Sequence, residues 1–153
     1  MPSGSGKQKS SCNCTALRKA TRRVSQLYDS ALEPCGLRTT QRAILNHITR
    51  AGTPSLGELA EALVMDRGAL THNLKPLERD GLVEIRPDPK DRRNRRVVLT
   101  ATGRAKLEES APLWKRAQDG FEAAFGVAKS ASLRQVLDYI VSEDFVAAFG
   151  HRE

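Results

Sequence analysis

The sequence has 153 residues, with 25 Lys and Arg against 18 Asp and Glu, which gives a formal net charge of +7. This length suits one domain, or a small domain plus an oligomerisation element, and 39% hydrophobic residues suffice for an aliphatic core. No stretch approaches the roughly 18 consecutive apolar residues of a membrane span, and the first residues lack a secretory signal. The three cysteines have no zinc-type spacing. We therefore expect a soluble, cytoplasmic protein without metal or cofactor.

The positive charge is concentrated in two parts of the chain. Residues 1–50 carry nine basic and two acidic residues, a net of +7, and residues 86–96 carry six basic and two acidic residues, a net of +4. Such a distribution is typical either of a solvated basic face or of a nucleic-acid contact surface. The elements around residues 86–96 must decide between these two interpretations.

After a Ser/Gly/Lys-rich segment, expected to be a flexible tail over residues 1–13, an apolar stripe predicts a helix over residues 14–36. Pro34 and Gly36 end this helix. The stripe recurs at steps of three and four residues and consists of Leu17, Ala20, Val24, Leu27 and Ala31. Such spacing places one apolar face along a helix, which a small domain could not cover by itself.

Residues 37–100 have the pattern of a helix-turn-helix followed by a hairpin. A second helix follows Thr39, a third begins at the capping box of Ser55 and Glu58, and a fourth runs from an Asp66 N-cap to about Arg79. Alternating apolar residues then predict strands at 82–85 and 97–99. The charged, proline-containing segment between the two strands is expected to project into solvent or onto a partner.

The last third, residues 101–153, is predicted to be helical. Thr100 caps a long helix that Pro112 kinks, and Leu133 to Val141 mark one last helix whose apolar character continues to Phe149. The whole order predicts a mainly α fold with a two-stranded β-wing, a winged helix-turn-helix at 37–100 between N- and C-terminal dimerisation helices. A homodimer built from the terminal helices would cover their apolar faces.

Three motifs of the sequence occur together in order. They are the stretch from Met65 to Val83, the Asp88-Pro89-Lys90-Asp91-Arg92-Arg93 segment, and Leu99-Thr100-Ala101-Thr102-Gly103. With these motifs the chain resembles the MarR family of bacterial transcriptional regulators over roughly residues 14–145. The resemblance implies a homodimeric repressor that binds a pseudo-palindromic operator in double-stranded DNA. Release would follow binding of a small molecule or oxidation of a cysteine.

Exposed side chains of the fourth helix and of the wing are the candidate DNA contacts. On the helix they are Arg67, Thr71, His72, Asn73 and Lys75, which can reach base edges or phosphates. At the wing tip, Arg92 and Arg93 suit a narrow minor groove. The family pattern implies that Asp91 pairs with Arg95 and orders the wing without touching DNA. Arg86, Lys90 and Arg96 are interpreted as phosphate contacts or solvated charges.

Two kinds of sensor remain open. Cys12 and Cys14 stand at the start of the first helix, where the helix terminus and nearby basic residues favour thiolate, so they are candidate redox sensors or else inert thiols. Cys35 is expected to be structural or a distant resolving thiol. The resemblance implies instead a pocket for a small aromatic ligand. The candidate residues for lining this pocket are Arg22, Tyr28, His47 and Trp114. The alternative is that each of them has an ordinary role in packing or at the surface.

Two other classes of protein compete with this interpretation. An enzyme is not expected, because the sequence has neither a Gly-rich phosphate loop nor a recognisable nucleophile motif. A winged-helix adaptor that binds proteins instead of DNA is the alternative, since one fold hosts many functions. The arginines of residues 86–96 favour DNA binding, because an adaptor has no need of a basic wing.

Overall fold

The computed structural model describes residues 11–151, which form seven α-helices, a short 3-10 helix and a two-stranded sheet. The mainly α fold with a two-stranded wing is therefore confirmed. The expected flexible tail lies mostly outside the described residues. In chain order the elements are α1 (Asn13–Leu32), the 3-10 helix (Glu33–Cys35), α2 (Thr39–Ala51), α3 (Leu56–Ala62), α4 (Arg67–Arg79), β1 (Val83–Pro87), β2 (Arg95–Leu99), α5 (Ala101–Phe125), α6 (Val127–Ile140) and α7 (Glu143–Gly150).

Local capping fixes where the central helices begin. The Ser55 backbone N–H donates to Glu58 Oε2 at 2.7 Å, and the Glu58 N–H donates to Ser55 Oγ at 3.1 Å, so the predicted capping box at α3 is confirmed. Thr100 Oγ1 accepts from the Gly103 N–H at 2.9 Å and caps α5 as predicted. Each cap satisfies an N–H group that has no partner within its helix.

The hairpin is longer than the sequence pattern predicts. β1 and β2 pair antiparallel from Val83 opposite Leu99 to Pro87 opposite Arg95, leaving residues 88–94 as the connecting loop. Arg86 and Arg96 lie opposite each other inside this ladder. Their polar side chains gave no strand signal, but the ladder is built from backbone groups and does not need apolar side chains. The wing is thus a paired ribbon for most of its length.

The C-terminal segment differs from the prediction of one last helix, because it forms α6 and α7 with a break at Val141 and Ser142. Ser142 Oγ accepts from the Phe145 N–H at 3.2 Å and starts the second helix. Within residues 11–151, no helix combines the length and the apolar character that crossing a membrane requires.

The hydrophobic core lies in the middle of the chain. α5 packs against α1 and α2. The buried apolar residues are Leu32, Cys35, Leu37, Ile44, Leu45, Ile48, Leu59, Ala60, Leu70, Leu74, Leu77, Leu82, Val83 and Val97. By contrast, most of the large hydrophobic side chains that are exposed belong to α1, to the end of α5, to α6 and α7, or to the turn between α6 and α7. These are Leu17, Leu27, Phe125, Val127, Val136, Leu137, Tyr139, Val141, Val146 and Phe149.

Candidate nucleic-acid interface

Helix α4 is fixed by its core face and presents the opposite face to solvent. Asp66 Oδ1 accepts from the Ala69 N–H at 2.7 Å and caps the first turn, as predicted. Leu70, Leu74 and Leu77 are buried in the core. The predicted contact residues on the outer face that are exposed are Arg67, Thr71, His72 and Lys75. The helix therefore offers a row of hydrogen-bonding groups on a rigid support.

Asn73 differs from the other four predicted contact residues of α4. It is half-buried, and its Nδ2 donates to the Ala69 carbonyl oxygen at 2.8 Å. One donor of the amide is thus used within the helix. Periodicity alone could not reveal this bond, because Asn73 lies between the core face and the outer face.

The wing tip carries two exposed arginines. These are Arg92 and Arg93, and within residues 11–151 neither forms an ion pair. Asp91 holds the backbone beneath them: its Oδ1 accepts from the Arg93 N–H at 3.0 Å and its Oδ2 from Asn94 Nδ2 at 3.2 Å. The tip is therefore an ordered turn with two guanidinium groups available to a partner.

The predicted partner of Asp91 is wrong. Among the described residues Asp91 makes no ion pair with Arg95, which is exposed; an ion pair of the wing instead joins Arg96 Nε to Asp88 Oδ2 at 2.8 Å. The register explains the difference. Arg95 pairs with Pro87 and Arg96 with Arg86, so neighbouring arginines of β2 point to opposite faces and only Arg96 turns towards Asp88.

The remaining basic side chains of the wing divide into two groups. Arg86 forms an ion pair with Glu84, and Arg96 also donates through Nη1 to the Thr53 carbonyl oxygen at 2.8 Å. Lys90 is exposed, like Arg95. The interpretation of Arg96 as a phosphate contact or a solvated charge does not describe its contacts, because its guanidinium is engaged within the protein.

Cys12 caps α1, and Cys14 lies in its first turn. Both are exposed, and the Cys12 Sγ accepts from the Thr15 N–H at 3.5 Å. Hydrogen bonds from the side chain and then the backbone of Thr15 lower the pKa of the Cys12 thiol. Cys35 is buried, and its Sγ donates to the Leu32 carbonyl oxygen at 3.1 Å.

The four residues predicted to line one ligand pocket do not come together within one chain. Tyr28 borders an apolar groove of about 340 Å³ between α1, α5 and α6, where its hydroxyl donates to Gln118 Oε1 at 2.8 Å. Burial is the main cause that raises the pKa of Tyr28. His47 borders a separate cleft beside α3 and wing residue Arg96, and Arg22 is exposed on α1. Trp114 packs under the Arg42 guanidinium, 4.7 Å from its ring centroid.

Sequence reasoning missed the part that Asp88 plays in the wing. Asp88 is only 6% exposed, although Lys90 and the residues that follow it in the loop are exposed. Its Oδ1 accepts from the Lys90 N–H at 2.9 Å, and this bond, followed by the Arg96 guanidinium, lowers the pKa of Asp88. The signal in the sequence was the Pro87-Asp88-Pro89 segment, because an acid between two prolines in a basic loop is a candidate for stabilising a turn.

Comparison with known proteins gives one family. The model of the MarR family matches residues 36–94. Over 77 residues, or 48% of the chain, the sequence is 43% identical to the transcriptional activatory protein BadR of Rhodopseudomonas palustris. Over 84 residues, or 55% of the chain, it is 37% identical to the multiple antibiotic resistance protein MarR of Salmonella typhimurium. The matches span only 44% and 58% of these two relatives, about half of their length.

A solved structure extends the similarity over nearly the whole fold. The M. tuberculosis transcriptional regulator MosR, crystallised in complex with DNA, is 37% identical in sequence and superposes with a TM-score of 0.71. The similarity covers 84% of this chain and 97% of the MosR chain. The similarity therefore extends well beyond residues 36–94, which the family model matches.

Proposed function

The chain belongs to the MarR family, and from that premise we propose that it is a DNA-binding transcriptional regulator that acts in the cytoplasm as a homodimer. The observation that carries this proposal is the presence of two exposed sets of hydrogen-bond donors on neighbouring elements. One set is the outer face of α4 and the other is the pair of arginines at the wing tip. No catalytic role is proposed for any residue.

The two sets suit the two grooves of DNA. A major groove admits an α-helix, and Arg67, Thr71 and His72 lie in the N-terminal half of α4, from which base edges are usually read. The adjacent minor groove attracts arginine when it is narrow. Arg92 and Arg93 would enter it from the wing. Lys75, one turn further along α4, is assigned to the phosphate backbone.

The terminal helices support the dimer. Leu27 on α1 is 59% exposed and Phe149 on α7 is 75% exposed, and removing such large apolar side chains from water would favour association. A second copy that interlocks its terminal helices with the first would bury these side chains. The two α4 helices would then lie about one turn of DNA apart and read two half-sites of a pseudo-palindrome.

Oxidation of Cys12 is the first candidate signal for release of DNA. A thiolate attacks a peroxide oxygen, gives sulfenic acid and releases water or an alcohol, and a second thiol then displaces water to form a disulfide. Cys12 is exposed, and its contacts with Thr15 favour the thiolate. Cys14, two residues further along the chain, or a thiol of the second chain would supply the second sulfur.

A small aromatic ligand is the second candidate signal. The observation that favours it is the groove of about 340 Å³ that Tyr28 borders, with apolar walls that include Val24 and Phe121. Such a volume is within the usual range for small-molecule sites. A phenol or aromatic acid would pack against these walls and hydrogen-bond the Tyr28–Gln118 pair.

Selection of binding sites from a random pool of DNA duplexes tests the proposal. We expect enrichment of a pseudo-palindrome that the reduced protein binds tightly, with an affinity that falls as salt rises. Changing Thr71 and His72 to Ala should abolish the sequence preference, whereas changing Arg92 and Arg93 to Ala should weaken binding and lower its salt dependence. A wild-type protein that enriches no sequence and passes through a DNA resin at moderate salt would instead support the adaptor.

The same duplex separates the two signals. If peroxide releases the protein, a thiol reductant restores binding and Cys12→Ser does not respond, oxidation is the signal. If binding is indifferent to peroxide, a screen of phenols and aromatic acids follows, with Tyr28→Phe as the variant that should no longer respond. Repression is the expected outcome in a reporter strain when the selected site overlaps the promoter.

A further inference from the structure

Arg96 contacts three parts of the protein: the wing loop, the segment before α3, and α3 itself. Among the described residues, no other arginine of the wing makes these contacts. Its Nε donates to Asp88 Oδ2 in the wing loop at 2.8 Å, and its Nη1 donates to the Thr53 carbonyl oxygen before α3, also at 2.8 Å. Glu58 Oε2, in the first turn of α3, lies 3.7 Å from the same Nη1. The side chain of Arg96 is only 33% exposed.

The hydrogen bond from Arg96 to Asp88 holds the first residue of the loop that connects β1 and β2. The Asp88 carboxylate uses its second oxygen to accept from the Lys90 N–H at 2.9 Å, and the Asp88 N–H donates to the Asn94 carbonyl oxygen at 2.9 Å. Because Asp88 is buried, its charge requires these partners. The turn that carries Arg92 and Arg93 is therefore attached at its base to Arg96.

The other bonds attach Arg96 to the helix-turn-helix. Glu58 belongs to the capping box that starts α3, and Ser55 of the same box bridges to Arg96 through the backbone. The Val97 N–H donates to the Pro54 carbonyl oxygen at 2.9 Å. Since α3 packs against α4, the base of the wing and α4 share one rigid support.

We infer that Arg96, held by Asp88, is a positioning residue that sets the wing tip relative to α4, and that it does not contact phosphate. This inference rests on the proposed function, in which α4 and the wing tip bind one duplex together. Two contact surfaces bind one rigid partner well only if their separation is fixed before binding, because ordering them at the moment of binding costs entropy. Arg95, exposed on the opposite face of β2, has no such role.

Arginine is required for this role because of its shape. The planar guanidinium donates in two directions at once, to Asp88 and to Thr53, whereas a lysine ammonium is a compact point charge at the end of a flexible stem. Arg96→Lys therefore keeps the positive charge but cannot donate to Asp88 and Thr53 at the same time. A residue that merely neutralised a phosphate would tolerate this change. Arg95→Lys is the matched control on the neighbouring position.

Amide hydrogen exchange tests the contacts of Arg96 with Asp88 and Thr53 in the absence of DNA. We expect the Asp88 and Val97 amides to exchange about tenfold faster in Arg96→Lys than in wild type, because each charge-assisted hydrogen bond that is removed frees the wing to open locally. Arg95→Lys should leave both amides unchanged, and thermal unfolding shows whether each variant folds. Equal exchange in the two lysine variants would overturn the inference.

Binding to the duplex selected by the wild-type protein gives the second readout. Arg96→Lys should weaken binding by about tenfold although the net charge is kept, and this effect should vanish when Arg92 and Arg93 are already Ala. Asp88→Asn should also weaken binding, although it raises the net charge.

Two outcomes of the binding experiment decide the role of Arg96. Arg96 would be shown to bind DNA directly by two results together. Arg96→Lys would bind with wild-type affinity, and Arg96→Ala would reduce the slope of log affinity against log salt by about 0.9, the value of one phosphate contact. If the wild-type protein selects no duplex, the proposed function fails, and the exchange experiment still decides whether Arg96 holds the base of the wing in place.

Discussion

Gly103 shows how a single residue fixes the start of α5. Thr100 Oγ1 donates to the Gly81 carbonyl oxygen at 2.6 Å, which draws the first turn of the helix against the turn between α4 and β1. A Cβ added at Gly103 would come within 2.0 Å of the Leu82 carbonyl oxygen and 2.8 Å of Leu99 Cδ1. The glycine of the Leu99-Thr100-x-x-Gly103 motif is thus required by the approach of two backbones.

We expect Gly103→Ala to lower the free energy of unfolding by about 3 kcal/mol, because the methyl group meets backbone that cannot move independently. Chemical denaturation measures the change. Thr102→Ala, at the exposed neighbouring position, is the control and should stay within about 0.5 kcal/mol of wild type. Equal stability of the two variants would contradict the role assigned to Gly103.

Cys12 should react at lower pH than an ordinary thiol. Its pKa is lowered, mainly by Thr15, so its thiolate persists to more acidic pH. The rate of alkylation by iodoacetamide, followed by mass spectrometry across pH, measures this. We expect Thr15→Val to move the Cys12 profile to higher pH, because valine has no hydroxyl to donate to the thiolate. Thr21→Val, which is also exposed on α1, is the control; equal shifts in both variants would exclude a specific role for Thr15.

At the scale of elements, the sequence predicted what local bonds determine. The order of helices and strands from α1 to α5 and the caps at Ser55, Asp66 and Thr100 are confirmed, because each depends on neighbours in the chain. The length of the wing strands was underestimated, since backbone pairing at Arg86 and Arg96 leaves no apolar pattern. The break before α7 did leave a signal, a serine N-cap at Ser142 followed by two acids.

The partners within the site could not be predicted for a different reason. Whether Asp91 meets Arg95, or Asp88 meets Arg96, depends on the register of the hairpin, and a shift of one residue reverses the face of every side chain. The same holds for Tyr28 and His47, which border separate grooves because their helices face different neighbours. Long-range contacts of this kind follow from packing and not from local sequence.

The wing as an element makes a prediction about salt. Arg93→Ala should weaken binding to the selected duplex and reduce the slope of log affinity against log salt by about 0.9, the value of one phosphate contact in duplex DNA. Asp91→Ala should also weaken binding, although it adds net positive charge, because the turn beneath Arg93 is then without two hydrogen bonds. Fluorescence anisotropy at several salt concentrations measures both. Tighter binding by Asp91→Ala would show that Asp91 acts only through its charge.

At the scale of the whole molecule, the division between core and exposed apolar surface is the main feature. The buried apolar side chains all fall between Leu32 and Val97, whereas α6 and α7 contain no buried hydrophobic residue within the described part of the chain. Helices that bury no apolar face in one chain gain little stability from packing. A second chain is the economical way to supply that packing.

The dimer can be tested by charge at one position. Leu27→Glu places a carboxylate on the exposed apolar face of α1, so we expect the protein to shift from dimer to monomer in light scattering. Val64→Glu is the control, because Val64 is 68% exposed but lies in the turn before α4. A wild-type chain that is monomeric, or equal masses for both variants, would contradict the proposed interface.

Hydroxyl-radical footprinting of the wild-type protein on the duplex it selects tests the central claim most directly. We predict two protected half-sites, with centres about 10 base pairs apart, and weaker protection in the flanking minor grooves that disappears when Arg92 and Arg93 are Ala. A footprint confined to one half-site, or minor-groove protection that survives replacement of both arginines, would contradict the assignment of α4 and the wing as the paired contact surfaces of a dimer.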